Sequence, residues 1–432
     1  MNGEILLITE AGYPWTVGGV TTWINDLVTG LPERRITVLG VRFEGPAAPA
    51  ASLLPPGVRF IDLCVPAPVH EVVERALNAA ATLQPSVIHA TTSGVAGVAG
   101  VALSQATGAP LVVTEHGIAW LGTSAEPLRL DGGHSDGGDG GNGNHGGDGG
   151  NGNHGGGDGH GGDGGHGGDG GDGGDHGGGH GGHPSVIMWD REGRRLARAV
   201  YAQAARVTSV SHANTVYQRR LAPRRTPIEV IHNGVELPAA PPIDGGVPQT
   251  VVYVGRISPE KGVDRFVRTA ALLAKARADL RFEVRGPEGD RAYAAHCRRL
   301  AETAGLGDRL IFTGPVPRAE AFAGTDLLIA PSREEACPFA VLEAMAAGVP
   351  VVAATAGDCE GIVADAGLVV RGGAPAFARA AAELLEADAH AAAAAAGQAR
   401  VRVWFSRQRM LARYRRLYID LERGRARSRK SA

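Results

Sequence analysis

The sequence predicts an α/β protein built of two doubly wound domains, and three observations predict it. A chain of 432 residues exceeds one ordinary core and suits two. Short apolar runs bounded by turn residues recur with helical stretches between several of them, which is how buried parallel strands read. The stretch LPAAPPIDGGVPQ, residues 237–249, has the composition of a linker between two such halves.

Taken in order, the first half offers the strands GEILLIT, ITVLGV, VRFIDL, SVIHAT and PLVVTEHG, with helices over about 20–30 and 70–83. A helix over residues 188–204 follows, then the strands RVTSVS and IEVIHNG. The second half continues with TVVYVGR, LRFEVRG, LIFTG, DLLIAP and PVVAA. The expected division is a first domain over 1–240, a second over 247–398, and a C-terminal helix with a basic tail over 399–432. That last segment reads as amphipathic, with Trp404, Phe405, Met410, Leu411, Tyr414, Leu417, Tyr418 and Leu421 on its apolar side. Its final Arg and Lys cluster leaves two readings open, a solvated tail and a weak contact with anionic lipid.

Residues 131–183 interrupt this pattern with 31 Gly, 9 Asp, 8 His, 4 Asn and 1 Ser. With nothing apolar to bury and much glycine entropy to lose, the tract is expected to be a disordered insertion in the first domain. Its histidines and aspartates would collect divalent metal only loosely, because the repeats fix no geometry. The tract also hides a charge asymmetry: it holds 9 of the 45 acidic residues, so the remainder carries 36 against 43 basic ones, net +7. That balance suits anionic ligands and is far from a nucleic-acid footprint. Cys64, Cys297, Cys337 and Cys359 fall in no paired or metal-like spacing, which points to reduced thiols. No apolar run approaches the roughly 20 residues of a membrane span, and the N-terminus enters a strand directly, so a soluble cytoplasmic protein is expected.

The most informative segment is PSREEACPFAVLEAMAAGVP, residues 331–350, which sets Glu335 and Glu343 eight residues apart across a loop-to-helix junction. Pro338 lacks a backbone donor and belongs in a first turn; Gly348 and Pro350 end the helix. The unpaired N–H groups at such a helix start suit a phosphate, and carboxylates on either side suit sugar hydroxyls. The spacing alone equally fits an ordinary loop and helix with two solvated acids. In VGRISPEKGVDRF, Gly255 ends a strand and Arg256 and Lys261 bracket a turn, as an anionic leaving group requires. Gly18 and Gly19 open a helix where backbone N–H groups can approach an anion, although the pattern is not the dinucleotide fingerprint. His116 lies just past a strand end, with Glu115 alternating to the other side.

The paired-glutamate segment resembles the E-x7-E element of family 4 retaining glycosyltransferases, and the neighbouring motifs extend the likeness over nearly the whole chain outside the tract. The resemblance implies the GT-B fold, two Rossmann-like domains facing a central cleft, and transfer of a hexosyl group from a nucleotide diphosphosugar. It implies Arg256 and Lys261 on the diphosphate, Glu335 on the transferred sugar and Glu343 on the ribose. It further implies Gly18 and Gly19 beside the phosphate, His116 on the acceptor side, Val316 near the base, and donor contacts at Cys337, Pro338 and Phe339. No cofactor or metal is called for. The segments YPWTVGGVTTWINDLVTGLP, TEHGI and EEACPFAVLEAMAAGVP resemble PelF-type enzymes, a likeness that implies UDP-glucose and exopolysaccharide synthesis. Two departures matter: the loop reads E-A-C-P-F in place of the commoner E-G-F-G, and the tract replaces a segment close to the acceptor side. The acceptor is therefore not carried over, and a catalytically inactive nucleotide-sugar-binding protein is the alternative.

Overall fold

The computed structural model describes residues 3–10, 13–14, 18–42, 54–64, 69–117, 191–237 and 249–431. The glycine-rich tract, residues 188–190 and most of the linker lie outside them. The first lobe runs β1 (Glu4–Glu10), α1 (Gly19–Gly30), β2 (Ile36–Arg42), β3 (Arg59–Cys64), α2 (Val69–Ala79), β4 (Pro85–Ala90), α3 (Val95–Thr107), β5 (Leu111–Glu115), α4 (Arg191–Gln203), β6 (Arg206–Ser209), α5 (His212–Leu221) and β7 (Ile228–Val230). The second runs β8 (Thr250–Val254), α6 (Val263–Ala276), β9 (Arg281–Arg285), α7 (Arg291–Thr303), β10 (Leu310–Gly314), β11 (Leu327–Ala330), α8 (Phe339–Ala346), β12 (Val351–Ala354), α9 (Cys359–Val363), β13 (Gly367–Val370), α10 (Ala374–Leu384) and α11 (Ala387–Trp404). A final helix, α12 (Arg407–Ser431), follows.

The first sheet has the order β3-β2-β1-β4-β5-β6-β7 and the second β10-β9-β8-β11-β12-β13, with every pairing parallel. Helices cover both faces, so central strands such as Ile5–Ile8 and Val251–Tyr253 are almost wholly buried. In each sheet the strand order reverses beside its first strand, between β1 and β4 and between β8 and β11. Ligands of doubly wound sheets gather beyond the carboxyl ends of strands at such a reversal. The fold thereby selects the loops after β1, β4, β8 and β11.

α12 packs Met410, Leu411, Tyr414, Leu417, Tyr418 and Leu421 into the first lobe's core with Ile5, Leu7, Trp23 and Val112. The sequence led us to expect one amphipathic helix through 401–432 with Trp404 on its apolar side; the structure corrects this. The chain breaks at Phe405 and Ser406, where Val235 N–H donates to the Phe405 carbonyl (2.9 Å) and Arg407 N–H to the Val235 carbonyl (2.8 Å). Ser406 Oγ then accepts from Arg409 N–H (3.3 Å) and starts the new helix. Trp404 is left 53% exposed, with the Arg409 guanidinium 5.1 Å from its ring centre.

Candidate functional site

The locus beyond β8 and β11 is built by two loops that touch. Gly262 has φ +69°, a region that favours glycine, and a Cβ there would collide with the Pro331 carbonyl oxygen. Arg333 ties the loops again, donating to the Pro259 carbonyl (2.5 Å) and pairing with Asp264 (2.8 Å). This close approach sets Lys261 Nζ 2.7 Å from Glu335 Oε1, with side chains 25% and 15% exposed. Arg256 pairs with Glu260 (3.1 Å), which also accepts from Ser258 Oγ (2.6 Å), and the Tyr253 hydroxyl donates to the Arg256 carbonyl (2.7 Å). Burial works to raise the Glu260 carboxyl, but the bonds from Ser258 and Arg256 outweigh it and hold the group below its ordinary value.

Glu335 precedes α8 in the loop and Glu343 lies inside the helix. Pro338 stands at the N-cap with φ −71° and ψ 121°, one step before the first turn expected for it, and no side chain caps the helix there. Cys337 packs its side chain into the second lobe's core, where burial pushes the thiol up, while its carbonyl accepts from Asn233 Nδ2 of the first lobe (2.8 Å). Glu343 is held by Arg318 Nε, and the same guanidinium lies 3.5 Å from Asp26 on α1 and 5.5 Å from the Phe339 ring centre. Asp26 pairs in turn with Arg407 (2.9 Å). Burial raises both carboxyls, Asp26 and Glu343, against the pull of these arginines. The sequence reading missed Arg318 and Asp26.

From the first lobe, Gly18 caps α1 in extended conformation and Gly19 is its first residue. A Cβ at Gly19 would sit 3.6 Å from the Phe339 ring, whereas one at Gly18 would meet nothing within 4 Å. The N-termini of α1 and α8 thus converge from opposite lobes. Val316 is half-buried in the loop after β10, two residues before Arg318. His116 stacks edge-on against Trp23 of α1, ring centres 4.6 Å apart, with Nε2 enclosed and unbonded among the described residues. Burial pushes its pKa down to about 3, so the ring is neutral near pH 7. His89 is a core residue instead, bonded to Tyr418 (2.7 Å) and Thr114 (2.6 Å).

The site residues therefore fall into a cluster of Arg256, Lys261, Glu335 and the α8 start, with Glu343 engaged by Arg318 and the Gly18–Gly19 turn opposite. Comparison with known proteins gives this arrangement a family. Residues 17–133 match the model of Glycosyltransferase Family 4, and residues 248–387 match that of Glycosyl transferases group 1. The first lobe thus carries family 4 glycosyltransferase sequence and the second carries group 1 glycosyltransferase sequence, on a GT-B fold. Among curated relatives, D-inositol 3-phosphate glycosyltransferase of Streptomyces avermitilis is 34% identical over 180 residues, 37% of this chain and 39% of the relative. D-inositol 3-phosphate glycosyltransferase 2 of Catenulispora acidiphila is 33% identical over 210 residues, 46% of this chain and 47% of the relative. The chain thus spans less than half the length of these two relatives.

Solved structures extend the likeness of fold to the whole chain. Sucrose-phosphate synthase from Thermosynechococcus elongatus matches with a TM-score of 0.72 at 19% identity, covering 97% of this chain and 99% of that one. Anabaena HepE in complex with UDP and glucose matches at 0.66 and 18% identity, covering 96% and 99%. No described helix is long and apolar enough to cross a membrane.

Proposed function

We propose that this chain is a retaining glycosyltransferase, moving a hexosyl group from UDP-glucose or a similar nucleotide diphosphosugar to an acceptor hydroxyl. The observation that carries the reading is the Lys261–Glu335 pair, 2.7 Å apart beside the uncapped start of α8 and at the strand-order reversal of the second sheet. A donor entering there exchanges that pair for its own groups: the diphosphate takes Lys261 and Arg256, and a sugar hydroxyl takes Glu335. Lys261, Arg256 and the helix N-termini are positioned before reaction to meet charge growing on the leaving diphosphate, where fixed cations lower a barrier most.

Glu343, steadied by Arg318, is assigned the ribose hydroxyls, and Val316 the base. Neutral His116 serves as a hydrogen-bonding group toward the transferred sugar. The choice of UDP-glucose draws on the likeness in fold to HepE, a protein solved with UDP and glucose. The PelF-like wording supports a role in polysaccharide or glycoconjugate synthesis. Mass spectrometry after offering a panel of nucleotide sugars with cell-extract acceptors tests the reading, with NMR of the product's anomeric proton to read retention. UDP-sugar binding without any transfer product would reduce the chain to a binding protein; no binding would remove the site assignment.

A further inference from the structure

A second polar cluster joins the lobes on the far side of the loop that carries Glu335. Asp358, in the turn after β12, accepts from Ser211 Oγ (3.0 Å) and from the backbone N–H groups of His212 (2.5 Å) and Ala213 (2.8 Å) at the start of α5. It also pairs with His232 Nε2 (3.2 Å). These groups border a cavity of about 670 Å³ whose walls include Phe405, Arg409 and Met410. One ring nitrogen from each histidine and one Asp358 oxygen all lie within 4.8 Å of one another.

We propose that His212, His232 and Asp358 bind a first-row transition metal ion such as Zn²⁺, which clasps the two lobes together. Two imidazoles and one carboxylate are a donor set for zinc-like ions, whereas calcium and magnesium demand oxygen ligands in numbers this cluster lacks. A tetrahedral ion with bonds of about 2.0–2.1 Å holds its ligand atoms roughly 3.4 Å apart. The His232–Asp358 edge, at 3.2 Å, already has that length. His212 is exposed, so its ring is free to turn through the remaining distance, and Asp358 is bonded by its backbone N–H and not by the ring. The ion takes the place of the hydrogen between His232 Nε2 and Asp358 Oδ2, and the ring proton moves to Nδ1, leaving a neutral imidazole as ligand. Bonds from Ser211 and Ala213 to Oδ1 fix the carboxylate as outer partners do in metal sites. His212, His232 and Asp358 all line the cavity, so water has access to an ion held there.

The site differs from the donor site in its residues but not in its reach. Asp358 N–H donates to the Ala336 carbonyl (3.1 Å), and a Cβ on Gly357 would collide with the Glu335 carbonyl. An ion on Asp358 therefore fixes the backbone behind Glu335 against the first lobe. The test uses the metal-stripped full chain and its His212→Ala and His232→Gln variants, all of which share the tract's histidines, so that only differences between them count. Calorimetry with Zn²⁺ should find one fewer ion bound in each variant, and the Co²⁺ absorption of a four-coordinate site should be lost. The rise in Tm on adding Zn²⁺ should fall by at least half in His212→Ala, while metal-free UDP affinity stays at the wild-type value. Equal stoichiometry, Co²⁺ spectrum and Tm rise in all three proteins would overturn the proposal and assign the bound metal elsewhere.

Discussion

The helices α3 and α8 start at equivalent places, each beyond the strand beside its sheet's reversal, yet their N-termini are satisfied by opposite means. At α3 the chain supplies its own acceptor: Glu10 accepts from Ala96 N–H (3.0 Å) and Thr92 Oγ1 (2.6 Å). Glu115 sits alongside, accepting from Ser93 N–H (2.8 Å) and the Tyr201 hydroxyl (2.7 Å), and the two acids are only 5% and 0% exposed. At α8 no side chain caps the helix, and the ionic groups nearby, Lys261 and Glu335, keep part of their surface. Similar sheets therefore offer different vacancies to a ligand. A phosphate arriving at α3 would have to displace two buried carboxyl groups, whereas at α8 it would meet a helix end and a cation, which favours the placement of the nucleotide proposed above.

The comparison breaks most visibly at Lys261. Lys261→Ala should lower transfer by about 10²–10³-fold and weaken UDP binding, with Arg256→Ala acting in the same direction, and neither should shift the urea unfolding curve by more than about 1 kcal/mol, because Arg256 lies on a loop, Lys261 closes a short 3-10 turn and both ion pairs keep some exposure. Calorimetric UDP affinity unchanged in both variants would remove the phosphate assignment. Glu335→Gln should cost turnover about 10²-fold while UDP affinity changes little, because its partner is the sugar. Equal losses in both would reassign Glu335 to a structural role.

The self-satisfied end of the first lobe makes a prediction in pH. Burial raises the carboxyls of Glu10 and Glu115, so the native state binds these protons more tightly than the unfolded chain does. Their contribution to stability is complete below the unfolded glutamate pKa of about 4.3 and is lost as pH rises through the raised native values. Asp358 works in the opposite sense. Burial pushes against it, but bonds from His232, Ala213, His212 and Ser211 hold its pKa low, so its contribution is lost as pH falls through the native value. Unfolding free energies measured across pH should therefore decline less steeply above pH 4.3 in Glu115→Gln than in the wild type; identical slopes would mean Glu115 does not titrate there. The smallest effect is expected from replacing residues 131–183 by a short Gly-Ser linker. With no apolar side chain in the tract, Tm and UDP affinity should stay unchanged, and a chelator-sensitive loss of stability confined to the intact chain would show that the tract holds structural metal.

The sheets were legible because buried parallel strands write themselves as uninterrupted apolar runs. The Arg256, Lys261, Glu335 and Glu343 spacings were legible because each is set within a turn or one short loop and helix. What stayed hidden has a common cause. Arg318 reaches Glu343 over 25 residues, Asn233 reaches the Cys337 carbonyl over 104, and Asp358 reaches His212 over 146, and no local periodicity encodes such partners. Asp358 even misleads, since an acid just before a helix reads as that helix's own cap, whereas its carboxylate serves α5 in the other lobe. The break at Ser406 was masked by apolar spacing that continues across it, although a serine ahead of a helical run was a usable signal.

α12 also dictates an order of events during synthesis. Its Tyr418 bonds to His89, Glu422 forms a buried pair with Arg34 (2.6 Å), and Arg425 donates to the carbonyls of Pro85 and Thr107 (2.7 Å each). These are all partners in the first lobe, whose last strand ends at Val230. A ribosome working at about 5–20 residues per second needs on the order of 10–40 s to travel from that strand to Leu421. For that interval the face bearing Ile5, Leu7, Val87 and Val112 lacks its natural cover, so the nascent chain offers a chaperone an apolar surface that closes only once α12 has been made. The lobe made first is the lobe finished last.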